Sequence, residues 1–413
     1  MNIEKLNKRN SSMDLIRIVA TLCVLSVHFF LHNGFYYETV EGTEMYIMSL
    51  MRTLFSVCVP LFLVLTGYLM SHKTLSKKYY TGIRKTIIIY ILAGIACIIY
   101  KSISGFQSIE LDFQTFLFGT LDFTGANYSW YIEMYIGLFL IIPFLNILYN
   151  KIETKRHKQV LLLTMICLTI LPSLFNIFNL DSAEWWTNPA SSDDFQKLVP
   201  SWWTSLYPIT YYFTGCYLRE YKINLRIRHL VPMFIAAIVL FGSFNYYRSY
   251  GTNFKSGTYV YWYGFESFIL TVLLFMILSR LSLKKLPNAV RFTLWKISDL
   301  TLGIYLVSFI FDSWYYPILN ENITPMVNRL PYYFLMVPCV FISSLILSAV
   351  LNLLEKLITF VWKKIYSSII YLKENADRIM IMDIVFIVLF FASMIFLLWK
   401  VYTDSEDMMK LFI

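Results

Sequence analysis

Long apolar runs recur along the whole chain and are separated by short polar connections. The recognisable runs lie at about 15–32, 46–70, 86–104, 129–149, 159–179, 205–218, 230–247, 259–279, 297–317, 332–355 and 380–400. A helix needs roughly 20 apolar residues to cross a bilayer, so the pattern predicts about eleven membrane-spanning helices. The sixth run is short and begins at Tyr207-Pro208, which leaves its outer end undefined. The expected fold class is an all-α polytopic membrane protein.

Composition and charge placement favour a membrane protein and exclude nucleic acid as the reason for the basic charge. Hydrophobic residues make up 58% of the chain and charged residues 15%, a balance that is rare in soluble domains. The net charge of +9 comes mainly from basic residues in alternate loops. These are Lys5, Lys8, Arg9, Lys73, Lys77, Lys78, Arg84, Lys85, Lys151, Lys155, Arg156, Lys158, Arg219, Lys222, Arg226, Arg228, Arg280, Lys284, Lys285, Arg291, Lys296, Lys356, Lys363, Lys364, Lys373 and Arg378. This positive-inside pattern predicts a cytoplasmic N-terminus and an external C-terminus.

The cysteines do not indicate disulfide bonds, and the first apolar run does not indicate a cleaved signal peptide. Cys23, Cys58, Cys97, Cys167, Cys216 and Cys339 all fall inside predicted spans without paired spacing. This arrangement predicts neither a disulfide framework nor a metal site, and we interpret the cysteines as small core residues. The first run follows basic residues, as in a signal peptide, but it lacks a small-residue cleavage site, so we expect it to be retained.

The first run contains three ionisable residues in an otherwise apolar sequence, DLIRIVATLCVLSVH at 14–28. Arg17 and His28 are eleven positions apart, which places them within roughly 20° of one helix face and about 16 Å apart along the axis. Asp14 lies near the same face. Ionisable groups at membrane depth are costly and persist mainly where they line a functional cavity. The first helix is therefore predicted to carry chemistry.

Four motifs follow one another along the chain: Asp14-x-x-Arg17 with His28, the run VPLFLVLTGY at 59–68, Trp130-Tyr131 with Gly137 and Pro143, and TLGIYL at 301–306. In this order they resemble the motifs of the membrane acyltransferase family 3, bacterial O-acyltransferases of cell-surface glycans. The resemblance covers about 14–355 and implies a bundle of about ten helices with one additional C-terminal helix. Ser308 stands where many members carry a histidine. The family's double arginine is reduced to Arg84-Lys85, with Lys77 and Lys78 upstream.

Acyl transfer from a thioester to a sugar hydroxyl needs a base, and a histidine is well suited to this role near neutral pH. His28 is the only histidine predicted deep in a span, because His32, His72, His157 and His229 fall at helix ends or in loops, where we expect them to be solvated. The alternative for His28 is a structural hydrogen bond to a neighbouring helix. The predicted catalytic set is His28, Arg17 and Asp14.

The other candidate residues would bind the two substrates. Arg17 either pairs with Asp14 or meets the anionic part of an acyl-CoA, and the alternative is an arginine that snorkels to the interface. The cluster Lys77, Lys78, Arg84 and Lys85 would attract coenzyme A phosphates, unless it serves topology alone. Arg52, Trp130 and Glu133 are the candidates for acceptor binding; a buried structural role is the alternative for Glu133. Tryptophans in the outer loop at 180–204 form either a lid or an interfacial aromatic belt.

The predicted function is an integral-membrane O-acyltransferase of the cell envelope, with acetyl-CoA as the expected donor and a glycan or lipid-linked sugar as the acceptor. No tightly bound cofactor and no metal are expected, and the oligomeric state is open. The predicted division is a cytoplasmic segment at 1–13, an acyltransferase domain at 14–378, an additional helix at 379–402 and an external tail at 403–413. The alternatives are a transporter or flippase of glycan intermediates, and a membrane sensor or assembly partner without chemistry.

The loop charges predict the side of each connection. A reporter fused at the C-terminus should be accessible from outside the cell, and a reporter in the loop at 150–158 should be accessible only from the cytoplasm. The measurement is labelling by a membrane-impermeant reagent before and after permeabilisation. A cytoplasmic C-terminus would show that the spans are miscounted, at Tyr207-Pro208 or at the last helix.

Overall fold

The computed structural model of the protein describes residues 6, 9–105, 111–188, 190, 195–221 and 223–373, with the backbone alone for 366–373. The regular secondary structure of these residues is helical, apart from the isolated bridges Thr39–Asn253 and Val40–Tyr250. The longer helices are α1 (Ser11–His32), α2 (Gly42–Phe55), α3 (Cys58–Met70), α4 (Arg84–Ser104), α5 (Phe113–Leu121), α6 (Trp130–Lys151), α7 (Lys155–Thr169), α8 (Tyr207–Glu220), α9 (Ile227–Ser249), α10 (Phe265–Ser279), α11 (Asn288–Asn322) and α12 (Tyr333–Lys373). Short helical turns lie at Phe35–Tyr37, Lys77–Tyr80, Thr81–Ile83, Pro172–Phe175, Ala183–Thr187, Thr204–Leu206, Leu283–Lys285 and Met326–Tyr332.

The chain is a multi-pass membrane protein. Within the described residues, seven helical stretches are long and apolar enough to cross a membrane: Ser11–His32, Gly42–Met70, Lys77–Ser104, Trp130–Lys151, Ile227–Ser249, Asn288–Asn322 and Met326–Ile365. Each of the first ten predicted runs overlaps a helix, whereas the eleventh, at 380–400, lies outside the described residues. The helices α7, α8 and α10 have only 15, 14 and 15 residues. These three are shorter than the full spans that the apolar runs predicted.

Local sequence signals explain where two of these helices begin. The side chain of Asn10 caps α1 by accepting a hydrogen bond from the Ser12 backbone N–H, a role in which asparagine is favoured. Helix α1 therefore begins three residues before the predicted domain boundary at residue 14. Tyr207-Pro208 opens α8, because proline fits the first turn, where its missing N–H would have no partner within the helix. The undefined end of the sixth run is thus the N-terminus of α8.

Helix α1 lies at the centre of the helix packing, against α11, α3, α10 and α2. Helix α11 also packs against α4, while α3 packs against α8 and α2 packs against α9. The larger core contains buried side chains from α1, α3, α4, α6, α8 and α11. A second core joins α1, α2, α11 and α12 through residues such as Phe29, Phe30 and Tyr316. The central position of α1 brings its ionisable side chains against other helices.

The packing of α3 on α8 depends on two glycines. A Cβ atom on Gly67 would lie 1.9 Å from the Tyr212 carbonyl oxygen, and one on Gly215 would lie 2.0 Å from the Val64 carbonyl oxygen. Small residues let membrane helices approach until their backbones touch. The Thr-Gly-Tyr end of the motif at 59–68 therefore has a packing reason, because only glycine fits at residue 67.

By contacts the chain divides into two units, Met1–Leu353 and Leu354–Ile413. The predicted boundaries at 378 and 402 lie outside the described residues.

The prediction that the cysteines are core residues holds for only some of them. Cys23, Cys58, Cys97 and Cys216 are buried, whereas Cys339 is half-buried and Cys167 is exposed. An apolar run predicts a helix but does not tell which of its faces meets protein and which meets lipid.

Substitution of the α3–α8 glycines should destabilise the protein. Gly67→Ala or Gly215→Ala pushes a methyl group into a backbone oxygen, and overpacking of this kind costs about 1–3 kcal/mol. Gly137→Ala is the matched control, because a Cβ there meets nothing within 4 Å and alanine is the better helix former. The measurement is the thermal stability of the detergent-solubilised protein. Equal melting temperatures for Gly67→Ala and Gly137→Ala would contradict the close contact.

Candidate active site

The centre of the candidate site is a buried histidine–carboxylate pair between two long helices. The Nδ1 atom of His28 on α1 lies 3.0 Å from Oδ2 of Asp312 on α11. The His28 side chain is 8% exposed and that of Asp312 is fully buried. A buried carboxylate is tolerated when it has a hydrogen-bonding partner. The sequence prediction placed Asp14 and Arg17 on the helix face of His28, whereas the structure places Asp312 beside the ring.

Tyr128 completes this pair from the connection between α5 and α6. Its hydroxyl donates to the same Oδ2 atom of Asp312 at 3.0 Å, and its ring lies over the His28 ring with centroids 3.9 Å apart. The Tyr305 hydroxyl donates to the Tyr128 carbonyl oxygen. The buried ammonium of Lys101 holds the same connection by donating to the Thr124 carbonyl oxygen at 3.1 Å. Tyr128 is thus fixed by α4 and α11.

This arrangement assigns the tautomer of His28. Asp312 can accept both hydrogen bonds on Oδ2, which requires a proton on Nδ1 of His28; in the neutral ring Nε2 then has the lone pair. No described residue forms a hydrogen bond with Nε2. Ser308, which stands where the family has a histidine, lies 3.5 Å from Nδ1 through its Oγ and donates to the Tyr305 carbonyl oxygen at 2.9 Å. In this neutral tautomer, Nε2 of His28 can accept a proton.

His32 does not behave as the isolated, solvated histidine that the sequence predicted. It lies one turn after His28, is only partly exposed, and its Nε2 atom lies 2.6 Å from the Tyr128 hydroxyl. Its ring also stacks on Tyr316, with centroids 5.6 Å apart. The prediction was wrong because the connection that carries Tyr128 covers the end of α1. The sequence gives no direct sign of this long-range contact.

A cavity of about 450 Å³ lies beside the N-terminal half of α1. Its lining includes apolar side chains of α3, α4 and α6, such as Phe62, Leu65 and Ile89. The cationic side chains of Arg9, Arg17 and Lys85 also line it. Val24 and Tyr305 belong to the lining as well and come one turn before His28 and Ser308 along their helices. The cavity thus combines positive charge with an apolar wall that reaches toward the histidine.

Asp14, Arg17 and Arg9 form an ion-pair cluster at the cavity. Asp14 is 1% exposed, and Arg9 binds it through Nη2 at 2.6 Å and Nε at 2.8 Å. Arg17 lies farther away, with Nη1 at 3.5 Å from Asp14 and 3.3 Å from the Ser298 hydroxyl. Arg9 Nη2 also lies 3.1 Å from Oδ1 of Asp299, which lines the cavity, so the three cations Arg9, Arg17 and Lys85 outnumber the carboxylates Asp14 and Asp299 by one. Both Arg17 and His28 contact α11, which confirms their predicted common face.

Only one of the four cations predicted to bind the donor, Lys77, Lys78, Arg84 and Lys85, lines the cavity. All four side chains are exposed, but Lys85 lines the cavity, whereas Lys77, Lys78 and Arg84 are not part of its lining. Lys77 and Lys78 lie in the short helical turn before α4. The structure therefore brings Lys85 together with Arg17 at the cavity and leaves the other three cations outside it.

The predicted acceptor residues lie in two places. Arg52 is buried on α2, where Nε donates to the Tyr36 hydroxyl at 2.5 Å. The residue next to it, Thr53, accepts a hydrogen bond from Asn245. Trp130 and Glu133 lie instead in the first turn of α6, directly after the connection that carries Tyr128. Both are exposed, with Trp130 at 38%.

The sequence prediction missed Asp312, Tyr128, His32 and Arg9 as members of the site. Only Asp312 carried a usable signal, because it lies deep inside the apolar run at 297–317, whereas the other carboxylate of that run, Asp299, lies at its start; carboxylates at membrane depth are costly. Tyr128 and Arg9 lie in connections, where neighbouring residues along the chain do not reveal the helices that they contact. Tyrosine is also common throughout this chain, with 31 copies, so no single one stands out.

Comparison with known proteins identifies the family. A family model described as an acyltransferase domain, that of acyltransferase family 3, matches residues 10–352. This match covers most of the chain, from the Asn10 cap of α1 to residue 352 in α12. The chain therefore belongs to this acyltransferase family. Neither the curated proteins nor the solved structures contain a significant match.

Proposed function

We propose that this member of acyltransferase family 3 transfers an acyl group from cytoplasmic acyl-CoA to a hydroxyl of a cell-surface or lipid-linked glycan. Acetyl-CoA is the expected donor, and the cell membrane is the expected location. The observation that carries the proposal is the buried pair of His28 and Asp312, which leaves His28 Nε2 as a base. Transfer from a thioester to a hydroxyl needs such a group.

The reaction follows from this tautomer. The acceptor hydroxyl oxygen attacks the thioester carbonyl carbon while His28 Nε2 takes the hydroxyl proton. Asp312 stabilises the resulting imidazolium through Nδ1–H, and Tyr128 holds the carboxylate in place. The tetrahedral intermediate then collapses, the carbon–sulfur bond breaks, and the thiolate takes the proton from Nε2. The products are the glycan ester and free coenzyme A, so protons balance without any other reactant.

The cavity beside α1 suits the donor. Coenzyme A carries several phosphate charges and a long, mostly neutral pantetheine arm, which correspond to the cationic and apolar parts of the lining. Arg17 and Lys85 would meet the anionic part. Asp14 would act through Arg9 and Arg17 by holding the two guanidinium groups, rather than in the proton transfer. The thioester would lie near Val24 and Tyr305, one helical turn from His28.

The acceptor would approach from the first turn of α6. The indole of Trp130 stacks on that of Trp262 with an interplanar angle of 14°, and Glu133 lies on the same face one turn later. Aromatic faces and carboxylates are suited to the faces and hydroxyls of a sugar ring. Trp130 is two residues from Tyr128, so a sugar bound there would lie beside the base. Arg52, enclosed near Tyr36 and Thr53, would have a structural role.

The base is tested by His28→Ala and Asp312→Asn. Removal of the positioned base should lower acyl transfer about a hundredfold or more, and Asp312→Asn should also lower it, because an amide does not hold the same tautomer as a carboxylate. His157→Ala is the control, since His157 is exposed at the start of α7. Purified protein is incubated with labelled acetyl-CoA and membrane glycans, and ester formation and free coenzyme A are measured.

The same assay separates transfer from transport. A transporter moves unmodified substrate, so it releases no free coenzyme A. Equal ester formation by wild type and His28→Ala at matched protein levels would rule out His28 as the base. No acyl-CoA turnover by wild-type protein with any glycan acceptor would favour the transporter.

The donor site is tested by Arg84→Gln/Lys85→Gln. Loss of a charge-assisted contact should raise KM for acyl-CoA about tenfold, leave the apparent affinity for the acceptor unchanged, and reduce the salt dependence of donor binding. Lys77→Gln/Lys78→Gln removes the same charge outside the cavity and should have a smaller effect. If both double variants raise KM equally, the cluster acts through its overall field and Lys85 has no special contact.

A further inference from the structure

A chain of hydrogen bonds extends from His28 to a second histidine on the same helix. Oδ2 of Asp312 lies 3.0 Å from His28 Nδ1 and 3.0 Å from the Tyr128 hydroxyl oxygen, and that oxygen lies 2.6 Å from His32 Nε2. His28 and His32 are one turn apart, with ring centroids separated by 6.4 Å. The rings are therefore linked through Tyr128 and Asp312 and form no direct hydrogen bond with each other.

Only one placement of the protons along this series of hydrogen bonds leaves Nε2 of His28 free to act as a base. A tyrosine hydroxyl carries a single proton, and here it donates to Asp312. The hydroxyl oxygen must then accept from His32, so Nε2 of His32 carries a proton. The Tyr128 proton could instead point to His32. The contact between the Tyr128 hydroxyl oxygen and Asp312 Oδ2 would then need a proton on Asp312, or it would bring two acceptors together without a proton.

We propose that His32 is a positioning residue for the base, an inference that rests on the proposed function. By donating from Nε2 to the Tyr128 hydroxyl oxygen, His32 directs the tyrosine proton to Asp312. The carboxylate is then held as an acceptor for His28 Nδ1–H, and Nε2 of His28 stays free to take the acceptor proton. Hydrogen bonds in such a series polarise one another in a buried site.

Contacts on other sides of His32 hold its ring in the required orientation. The ring stacks on Tyr316 of α11 with an interplanar angle of 22°. The carbonyl oxygen of His32 accepts from Asn320 Nδ2 at 2.8 Å. Arg329 donates to the next carbonyl oxygen, that of Asn33, at 2.5 Å. The end of α1 is therefore fastened to α11 and to the turn before α12, so the donor nitrogen of His32 stays directed at Tyr128.

The experiment compares His32→Ala with His32→Gln in the full-length protein. His32→Ala removes the donor and should lower kcat about tenfold, the effect of one net hydrogen bond, while KM for acetyl-CoA stays unchanged, because His32 is not part of the cavity lining. The glutamine amide can donate from a similar position, so His32→Gln should recover most of the lost activity. His72→Ala is the control, since His72 is exposed.

A double-mutant cycle with Tyr128→Phe identifies the route. If His32 acts through the Tyr128 hydroxyl, His32→Ala should cause little further loss in the Tyr128→Phe background, whereas two independent effects would multiply. Full additivity, or a change confined to KM, would overturn the inference, as would a kcat of His32→Ala equal to that of wild type. In each of these cases the loss of activity in His28→Ala would still support the proposed function. An active His28→Ala protein would instead remove the function on which this inference rests.

Discussion

The contact between His28 and Asp312 is the interaction on which the other parts of the site depend. It joins α1 to α11 inside the core, where both residues are buried and an unpaired charge or donor would be costly because the surroundings are apolar. A slip of either helix would separate the two groups and leave the Asp312 carboxylate without its histidine. The pair therefore sets the register of α1 against α11. That register in turn places Arg17 beside Ser298 and aligns the cavity with the base.

Two of the family motifs have a packing reason as well as a chemical one. Gly67 lets α3 meet α8 backbone to backbone, and Gly303 lets Ser348 of α12 approach α11, since a Cβ at Gly303 would lie 2.2 Å from the Ser348 hydroxyl oxygen. Ser348 donates from this position to the Leu300 carbonyl oxygen at 2.8 Å. Gly303 and Ser348 also line the cavity. The same residues that bring helices together thus shape the walls of the candidate donor site.

The sequence predicted the parts of the fold that depend on local periodicity. The apolar runs located the longer helices except α5, which lies in none of them, and helical geometry placed Arg17 and His28 on one face. Partners that come from distant parts of the chain were not predictable in the same way. Asp312 lies 284 residues from His28, and Tyr128 lies in a connection whose path depends on Lys101 and Tyr305. His32 was misjudged for the same reason, because a helix end is solvated only if no other segment covers it.

The continuity of α11 from Ser298 to Asp312 has a consequence for how this protein can change. Ser298, Tyr305 and Asp312 follow one another at intervals of seven residues on this helix, so they form one stripe with steps of roughly 10 Å. The helix therefore fixes the distance between Arg17, which lies beside Ser298 at the cavity, and His28, which lies beside Asp312. A single inserted or deleted residue between Ser298 and Asp312 would rotate one end by about 100° relative to the other. The number of residues between Ser298, Tyr305 and Asp312 is therefore constrained in addition to the side chains themselves.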